Sequence, residues 1–171
     1  MTMPDTRACT AQLTINTPLG AMLLARSEKG LAGIWFTGQK HHPAPIDATS
    51  RPDDALLKRV AEQLHAYFAG AALEFDVPLD LHGTEFQRRV WRALLAIPSG
   101  ETRSYGEIAA ALGSPAAVRA VGAAVGRNPV SIVVPCHRVI GSDGSLTGYA
   151  GGIERKTALL ALEGAPAGSL V

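Results

Sequence analysis

A chain of 171 residues with 47% hydrophobic and 18% charged side chains suits a folded globular protein, one generous domain or two small ones, and excludes a disordered or fibrous chain. Its two cysteines, Cys9 and Cys136, lie far apart, and neither a leader-like apolar stretch over Met1 to Leu13 nor an apolar run long enough to span a bilayer is present, so an intracellular protein with free thiols and no membrane association is expected. Net charge is only +1, yet the residues up to Gly83 carry 7 Lys/Arg against 9 Asp/Glu and the remainder 9 against 6, so the basic excess sits with Cys136 and fits a polyanionic partner.

Between Ala11 and Gly38 three β-prone runs, A-Q-L-T-I-N-T, A-M-L-L-A and G-L-A-G-I-W-F, are separated by the turn signals P-L-G and S-E-K-G, which predicts a three-stranded antiparallel meander. Gln39 to Arg51 has no periodicity and reads as a surface loop. Its His41-His42 pair lacks a nearby Cys or acid at metal spacing and reads as solvated. From about Pro52 to Ala69 a helix is expected, with Leu56, Leu57, Val60, Leu64 and Phe68 at helical spacing, Gly70 as its stop, and one face of the meander as its seat. Ala71 to Gly83 reads as an extended connection between two lobes.

Thr84 to Ile97 opens on Thr84 and Gln87, the spacing of a helix cap, and places Phe86, Val90, Leu94 and Ile97 on one face. Arg88, Arg89 and Arg92 lie largely elsewhere, as a solvated face or as phosphate contacts. A short helix over Ser104 to Leu112, a break at Gly113-Ser114 and a second helix from Ala116 to about Gly126 have the proportions of a helix-turn-helix or of an ordinary helical hairpin. The second helix is nearly all small residues, with Arg119 and Arg127 its only charges. It lacks the side chains that read base edges in a major groove, so close approach in a minor groove, with Arg119 entering the stack, fits better. Packing against another helix is the competing use of such small residues.

In N-P-V-S-I-V-V-P-C-H-R-V-I, from Asn128 to Ile140, the β-branched run Val130 to Val134 predicts a short buried strand ended by Pro135. Cys136 and His137 then stand at a strand end, as a reactive pair or as a structural Cys beside a surface His. A Cys is a nucleophile as thiolate, and an imidazole can take its proton. Neighbours on an extended strand face opposite ways, so the two could meet only across a bend or through a water. Glu163, ending a last helix from Ile153, is the acid placed to orient His137, and Asn128, ahead of Pro129, the residue placed to brace the segment. The glycine-rich stretch past Ile140 has hairpin signals at Asp143-Gly144 and returns Tyr149 and Ala150 toward Cys136, without the spacing of a triphosphate-binding loop. The tail from Ala165 to Val171 reads as frayed.

The same run, followed by G-Y-A-G-G and L-L-A-L-E-G and preceded by F-Q-R-R-V-W, G-E-T-R-S-Y-G-E-I-A and R-A-V-G, resembles the signature of the methylated-DNA–protein-cysteine methyltransferases. The resemblance covers the second half from about Thr84, and its P-C-H-R-V core is highly specific. The first half resembles the family's variable N-terminal lobe loosely. The implied fold is α+β, with a small antiparallel sheet and helix in residues 1–83 and a mainly helical lobe with a helix-turn-helix in residues 84–171. The implied reaction moves an alkyl group from the 6-oxygen of guanine, flipped out of duplex DNA through the minor groove, irreversibly onto Cys136. Each molecule then reacts once.

By the same resemblance His137 takes the thiol proton through a water with Glu163 behind it, Asn128 is a structural hinge, and Tyr105 contacts the flipped base. Arg119 fills the gap in the stack, with Ala120, Ala123 and Arg127 on the same DNA-facing helix, and Val139, Tyr149 and Ala150 line the guanine pocket. Family loops often carry Ser or Arg where this chain has Ala150. No cofactor is required. Some relatives hold a structural zinc with two Cys and two His, but only Cys9 and His82 stand in plausible places here, so no zinc is expected, and stoichiometric zinc in the purified protein would refute this. The expected partner is double-stranded DNA containing alkylated guanine, bound by a protein monomeric in solution, singly or cooperatively. The alternatives are a non-catalytic helix-turn-helix lesion sensor or regulator, which would need a dimer face or base-reading residues, and a Cys-His thiol hydrolase, which would need an oxyanion hole and repeated turnover.

Overall fold

The computed structural model describes residues 3–165 and 169–170. The chain divides into two compact units, one of residues 1–83 together with Pro129–Ser131, the other of Thr84–Asn128 with the residues from Ile132 onward. The fold is α+β.

In the first unit the three expected strands form as β1 (Cys9–Thr17), β2 (Gly20–Ser27) and β3 (Leu31–Phe36), paired antiparallel in sequence order. The loop expected between Gln39 and Arg51 departs from the sequence reading at its end. There Thr49–Ser50 forms β4, parallel to β1, and the sheet is mixed, in the order β3-β2-β1-β4. Gln12 secures that loop, its Nε2 donating to the carbonyls of Ile46 and Ala48 at 3.0 and 2.7 Å. Two residues of pairing carry no pattern of their own, which is why composition alone read only a loop.

β3 lies at the sheet edge yet is buried along its whole length. Its outer backbone groups are taken up by two other segments. The Leu31 amide donates to Pro78 and its carbonyl accepts from Asp80, while the Ile34 amide donates to Pro129 and its carbonyl accepts from Ser131. Such cover removes the unpaired edge that would otherwise template association. Helix α1 (Ala55–Phe68) packs on β1 and β2, as expected. It starts later than Pro52 suggests, because the Asp54 carboxylate caps it by accepting from the Leu57 amide at 3.0 Å. Its buried stripe ends on Tyr67 rather than Phe68, which is only half-buried.

The second unit begins with α2 (Glu85–Leu95), whose Thr84 and Gln87 form a reciprocal capping box. Next come β5 (Arg103–Ser104), α3 (Tyr105–Ala111) and, after a 3-10 turn over Pro115–Ala117, α4 (Val118–Gly126). Ser104 and Glu107 repeat the capping box on α3. Both α2 and α3 pack on α4, and the buried Trp91 of α2 donates from Nε1 to the Ala124 carbonyl at 2.8 Å. Helix α2 thereby clamps one face of α4 and leaves the other open. Of the three arginines on α2, Arg89 caps the end of α3 by donating to the Leu112 carbonyl at 3.1 Å.

The strand expected over Val130 to Val134 does not form. Val130 makes an isolated bridge to Ile34, and Ile132 turns the chain with φ 72°. A β-branched residue in that region costs about 1–3 kcal/mol and persists only where its surroundings fix it. Here the residues from Asn128 through Val139 are all buried, and the Asn128 side chain spans the turn by donating from Nδ2 to the Val134 carbonyl at 2.7 Å. Cys136–Arg138 is a 3-10 turn, not a strand end.

Beyond it, β6 (Val139–Ile140) pairs parallel to β5, and β7 (Ser145–Leu146) pairs parallel to β8 (Ser169–Leu170). The hairpin expected at Asp143-Gly144 is therefore only a local turn, closed by the Gly141 amide on the Ser145 carbonyl. Helix α5 (Ile153–Leu162) ends with Glu163 as its cap residue and Gly164 at φ 70°. Of the tail expected to fray, Ser169–Leu170 pairs instead, and residues 166–168 and 171 lie outside the described residues.

Candidate active site and nucleic-acid interface

The 3-10 turn decides the site's geometry. Cys136 and His137 share one tight turn in place of opposite faces of a strand, and both side chains are buried. His137 Nε2 lies 2.8 Å from Glu163 Oε2, and both side chains are fully enclosed. Nδ1 of the same ring is buried with no protein hydrogen-bond partner among the described residues. An imidazole held at one nitrogen and open at the other is set to exchange a proton on its open side.

Burial pushes the Cys136 thiol above its ordinary range, opposed by a hydrogen bond from Asn128 and by the positive charge of Lys156. Burial likewise pushes His137 down, against the pull of Glu163, so the ring is held neutral at rest. Asn128 therefore acts twice, on the backbone at Val134 and on the sulfur. Tyr105, at the start of α3, is half-buried and donates from its hydroxyl to the Thr147 carbonyl at 3.1 Å. Its phenol is pushed up by burial and by the Cys136 charge, which puts the two within electrostatic reach. A Cβ at Gly148, φ 72°, would stand 3.3 Å from the same hydroxyl, so glycine lets the loop close on Tyr105.

Two residues that the sequence reading did not single out complete the site. Arg138, also buried, binds Glu163 with both arms, Nε to Oε1 at 2.8 Å and Nη2 to Oε2 at 2.9 Å, and donates from Nη1 to the Ile97 carbonyl at 2.6 Å. Lys156 of α5 is fully buried, with Nζ donating to the carbonyls of Val139 at 2.5 Å and Thr147 at 3.1 Å. It thus ties β6 to the glycine-rich loop. Burial lowers the Lys156 amine from 10.5 to about 8, against the opposing pull of the Cys136 charge. The helical spacing of Ile153, Lys156, Leu159 and Leu160 was a signal, since it puts a lysine on an apolar face. Arg138 has no comparable signal, because its acid lies 25 residues away.

Val139 is buried, and Tyr149 and Ala150 are half-buried in the loop that Gly152 closes through its amide on the Tyr149 carbonyl. Arg119, Ala120 and Ala123 are exposed together on the open face of α4, and Arg127 at its end is half-buried. In the first unit His82 pairs with Asp80 at 2.8 Å and Cys9 is buried, and among the described residues no group of three or more His, Cys, Asp or Glu is gathered as a metal site. Among the same residues no helix is long and apolar enough to cross a membrane.

Residues 85–165 match the family described as 6-O-methylguanine DNA methyltransferase, DNA binding domain, and residues 12–81 match its ribonuclease-like domain. A Mycobacterium bovis protein named methylated-DNA–protein-cysteine methyltransferase is 55% identical over 150 residues, covering 88% of this chain and 90% of that protein. A Methanosarcina barkeri protein of the same name is 51% identical over 150 residues, covering 87% and 94%. A crystal structure of Mycobacterium tuberculosis OGT in complex with DNA superposes with a TM-score of 0.84 at 52% identity, covering 92% of this chain and 96% of that one. With both halves matched and a buried cysteine set among an asparagine, a histidine and a glutamate, this chain belongs to the methylated-DNA–protein-cysteine methyltransferase family.

Proposed function

We propose that this protein repairs DNA by moving a methyl group from the 6-oxygen of guanine to Cys136, with the residues of the buried network in distinct roles. The single observation that carries the reading is the enclosed His137 to Glu163 pair beside Cys136, with Nδ1 of the ring left open. His137, through a water, takes the thiol proton. The Cys136 sulfur attacks the methyl carbon in line, the bond from that carbon to the 6-oxygen breaks, and its electron pair stays on the base. Tyr105 then turns its hydroxyl from Thr147 to the base and neutralises the charge. The proton that His137 took from the thiol replaces the one Tyr105 gives, so the base leaves neutral, both side chains return to their resting forms, and the stable thioether leaves the chain spent.

The open face of α4 supports the DNA-binding part. Arg119 is the long side chain there and the exposed Ala120 and Ala123 let the helix approach closely, which suits a minor groove from which one base has been extruded. Arg119 occupies the vacated space and Arg127 contacts the backbone, while Val139, Tyr149 and Ala150 line the pocket for the flipped guanine. Double-stranded DNA containing alkylated guanine is the partner. The protein acts inside the cell, as a monomer in solution that binds DNA singly or cooperatively, with no cofactor.

The test is intact-mass measurement after mixing the protein with duplex DNA containing one methylated guanine. One added methyl group on Cys136, absent in Cys136→Ala, is expected. No mass gain, or clearance of many equivalents of lesion by little protein, overturns the reading.

A further inference from the structure

Glu163 carries more binding than the proton path described above requires. Its carboxylate is fully enclosed, Arg138 holds both oxygens, and Oε2 is shared with His137. Burying an anion is expensive unless it is paired and hydrogen-bonded, and a bidentate guanidinium meets both conditions. A neutral imidazole has one N–H. Facing an anion, which only accepts, His137 must carry its proton on Nε2, and Nδ1 is then the acceptor. Facing a neutral carboxylic acid, Nε2 can accept instead, the ring proton moves to Nδ1, and the open side can no longer take a proton.

We propose that Arg138 is a positioning residue for alkyl transfer: by holding Glu163 as an anion it fixes His137 in the Nε2–H tautomer and keeps Nδ1 able to receive the Cys136 proton. The proposal rests on the reading of His137 as the proton acceptor. Among the described residues, groups facing this cluster include Cys136 on the same turn, Asn128 against its sulfur, Lys156 on α5, and the Ile97 carbonyl beyond α2, which anchors the third arm of Arg138. Lys156 cannot substitute for Arg138, because its ammonium is engaged by the carbonyls of Val139 and Thr147.

The experiment compares full-length wild type, Arg138→Met and Arg138→Lys, each with nitrogen-15-labelled histidine. The His137 tautomer is read by NMR in unreacted protein, and the rate with a free benzylated guanine base is followed from neutral to alkaline pH. Wild type should show Nε2–H. Arg138→Met should shift toward Nδ1–H and react at least about tenfold more slowly near neutral pH, set against the roughly 100-fold or more that a general base contributes. Rising pH should narrow the gap by favouring the carboxylate over the acid, and Arg138→Lys, which keeps a cation there but not the two-armed grip, should fall between wild type and Arg138→Met in both readouts. An Nε2–H ring and a wild-type pH profile in Arg138→Met overturn the proposal. A switched tautomer with an unchanged rate overturns His137 as proton acceptor, which is the reading beneath it. If Arg138→Met does not fold, Glu163→Gln serves. Its amide oxygen goes to Arg138 and its NH2 to Nε2, so it should show Nδ1–H and a slowed rate that alkaline pH does not restore. An Nε2–H ring in that variant refutes the tautomer argument.

Discussion

Replacing Lys156 by Met separates what its charge does for Cys136 from what its side chain does for stability. The two contributions to stability oppose each other. Lowering the amine from 10.5 to about 8 means that burial disfavours the charged form by about 3 kcal/mol, and Met removes that burden. Met also abandons the buried Val139 carbonyl, which accepts from Nζ at 2.5 Å, and an unpaired buried acceptor costs about 1–3 kcal/mol. Similar length and volume keep the packing, so the unfolding free energy near neutral pH should move by no more than about 2 kcal/mol in either direction. Cys136 has no such compensation. It loses the positive charge that opposes the burial penalty on its thiolate, and each pKa unit so lost is about tenfold less thiolate. Alkyl transfer should slow while the fold persists.

Denaturant unfolding and the single-turnover rate measure the two sides, and pH supplies a signature of the Lys156 charge and of its coupling to Cys136. Below about pH 8 the lysine is charged in both folded and unfolded chains, and the folded state carries the penalty in full. Between about 8 and 10.5 the unfolded chain keeps a proton on Lys156 that the folded chain has released, so the Lys156 contribution to stability gains with rising pH. Lys156→Met lacks this gain, and the difference between the two proteins should shift in favour of wild type across that window. An unchanged transfer rate would refute the electrostatic argument. A stability loss above about 4 kcal/mol would show that the burial penalty is overstated and that Lys156 is chiefly a structural pin.

Arg119→Ala should slow repair of methylated duplex DNA while leaving the reaction with free benzylated guanine largely intact, because Arg119 is exposed on α4 whereas Cys136 is buried. Equal loss on both substrates in single-turnover assays would reassign it to structure. Gly148→Ala places a Cβ 3.3 Å from the Tyr105 hydroxyl at φ 72°, so strain of about 1 kcal/mol or more should lower thermal stability and slow transfer from both substrates. A wild-type melting temperature and rate would show that the loop is free to move away from Tyr105.

Much of the second unit was readable because its signals are local. The capping pair Thr84 and Gln87, the glycine break before Pro115, and the bare helix from Val118 are each encoded within a few residues. The Val130 to Val134 run misled for the opposite reason. β-branched residues fit a strand, but Ile34 bonds only Pro129 and Ser131, in a single bridge opposite Val130, and Asn128 holds the next residues in a turn through Ile132. β4 and the cover over β3 depend on edges that exist only once the sheet has formed. Glu163 was legible as an acid at a helix end, whereas the arginine that shares it was not, since pairing across 25 residues leaves no local trace.

The energetic setting of Cys136 explains why so many charged groups are buried around a reaction that calls on one sulfur. In an apolar enclosure the thiol keeps its proton, and burial dominates the shift despite Asn128 and Lys156. A resting thiol of this kind reacts poorly with stray electrophiles, which suits a group that can be used only once. On the proposed mechanism the thiolate must then be made on demand, and the proton needs a receiver that is neutral beforehand. Burial provides that as well, by holding His137 neutral. An imidazolium formed in the same enclosure would be unstable alone, and the Glu163 anion at 2.8 Å stabilises it. If Arg138 holds that anion as proposed, the charges form a chain in which each buried group makes the next one tolerable, from a guanidinium anchored on Ile97 to a sulfur that ionises as its proton leaves.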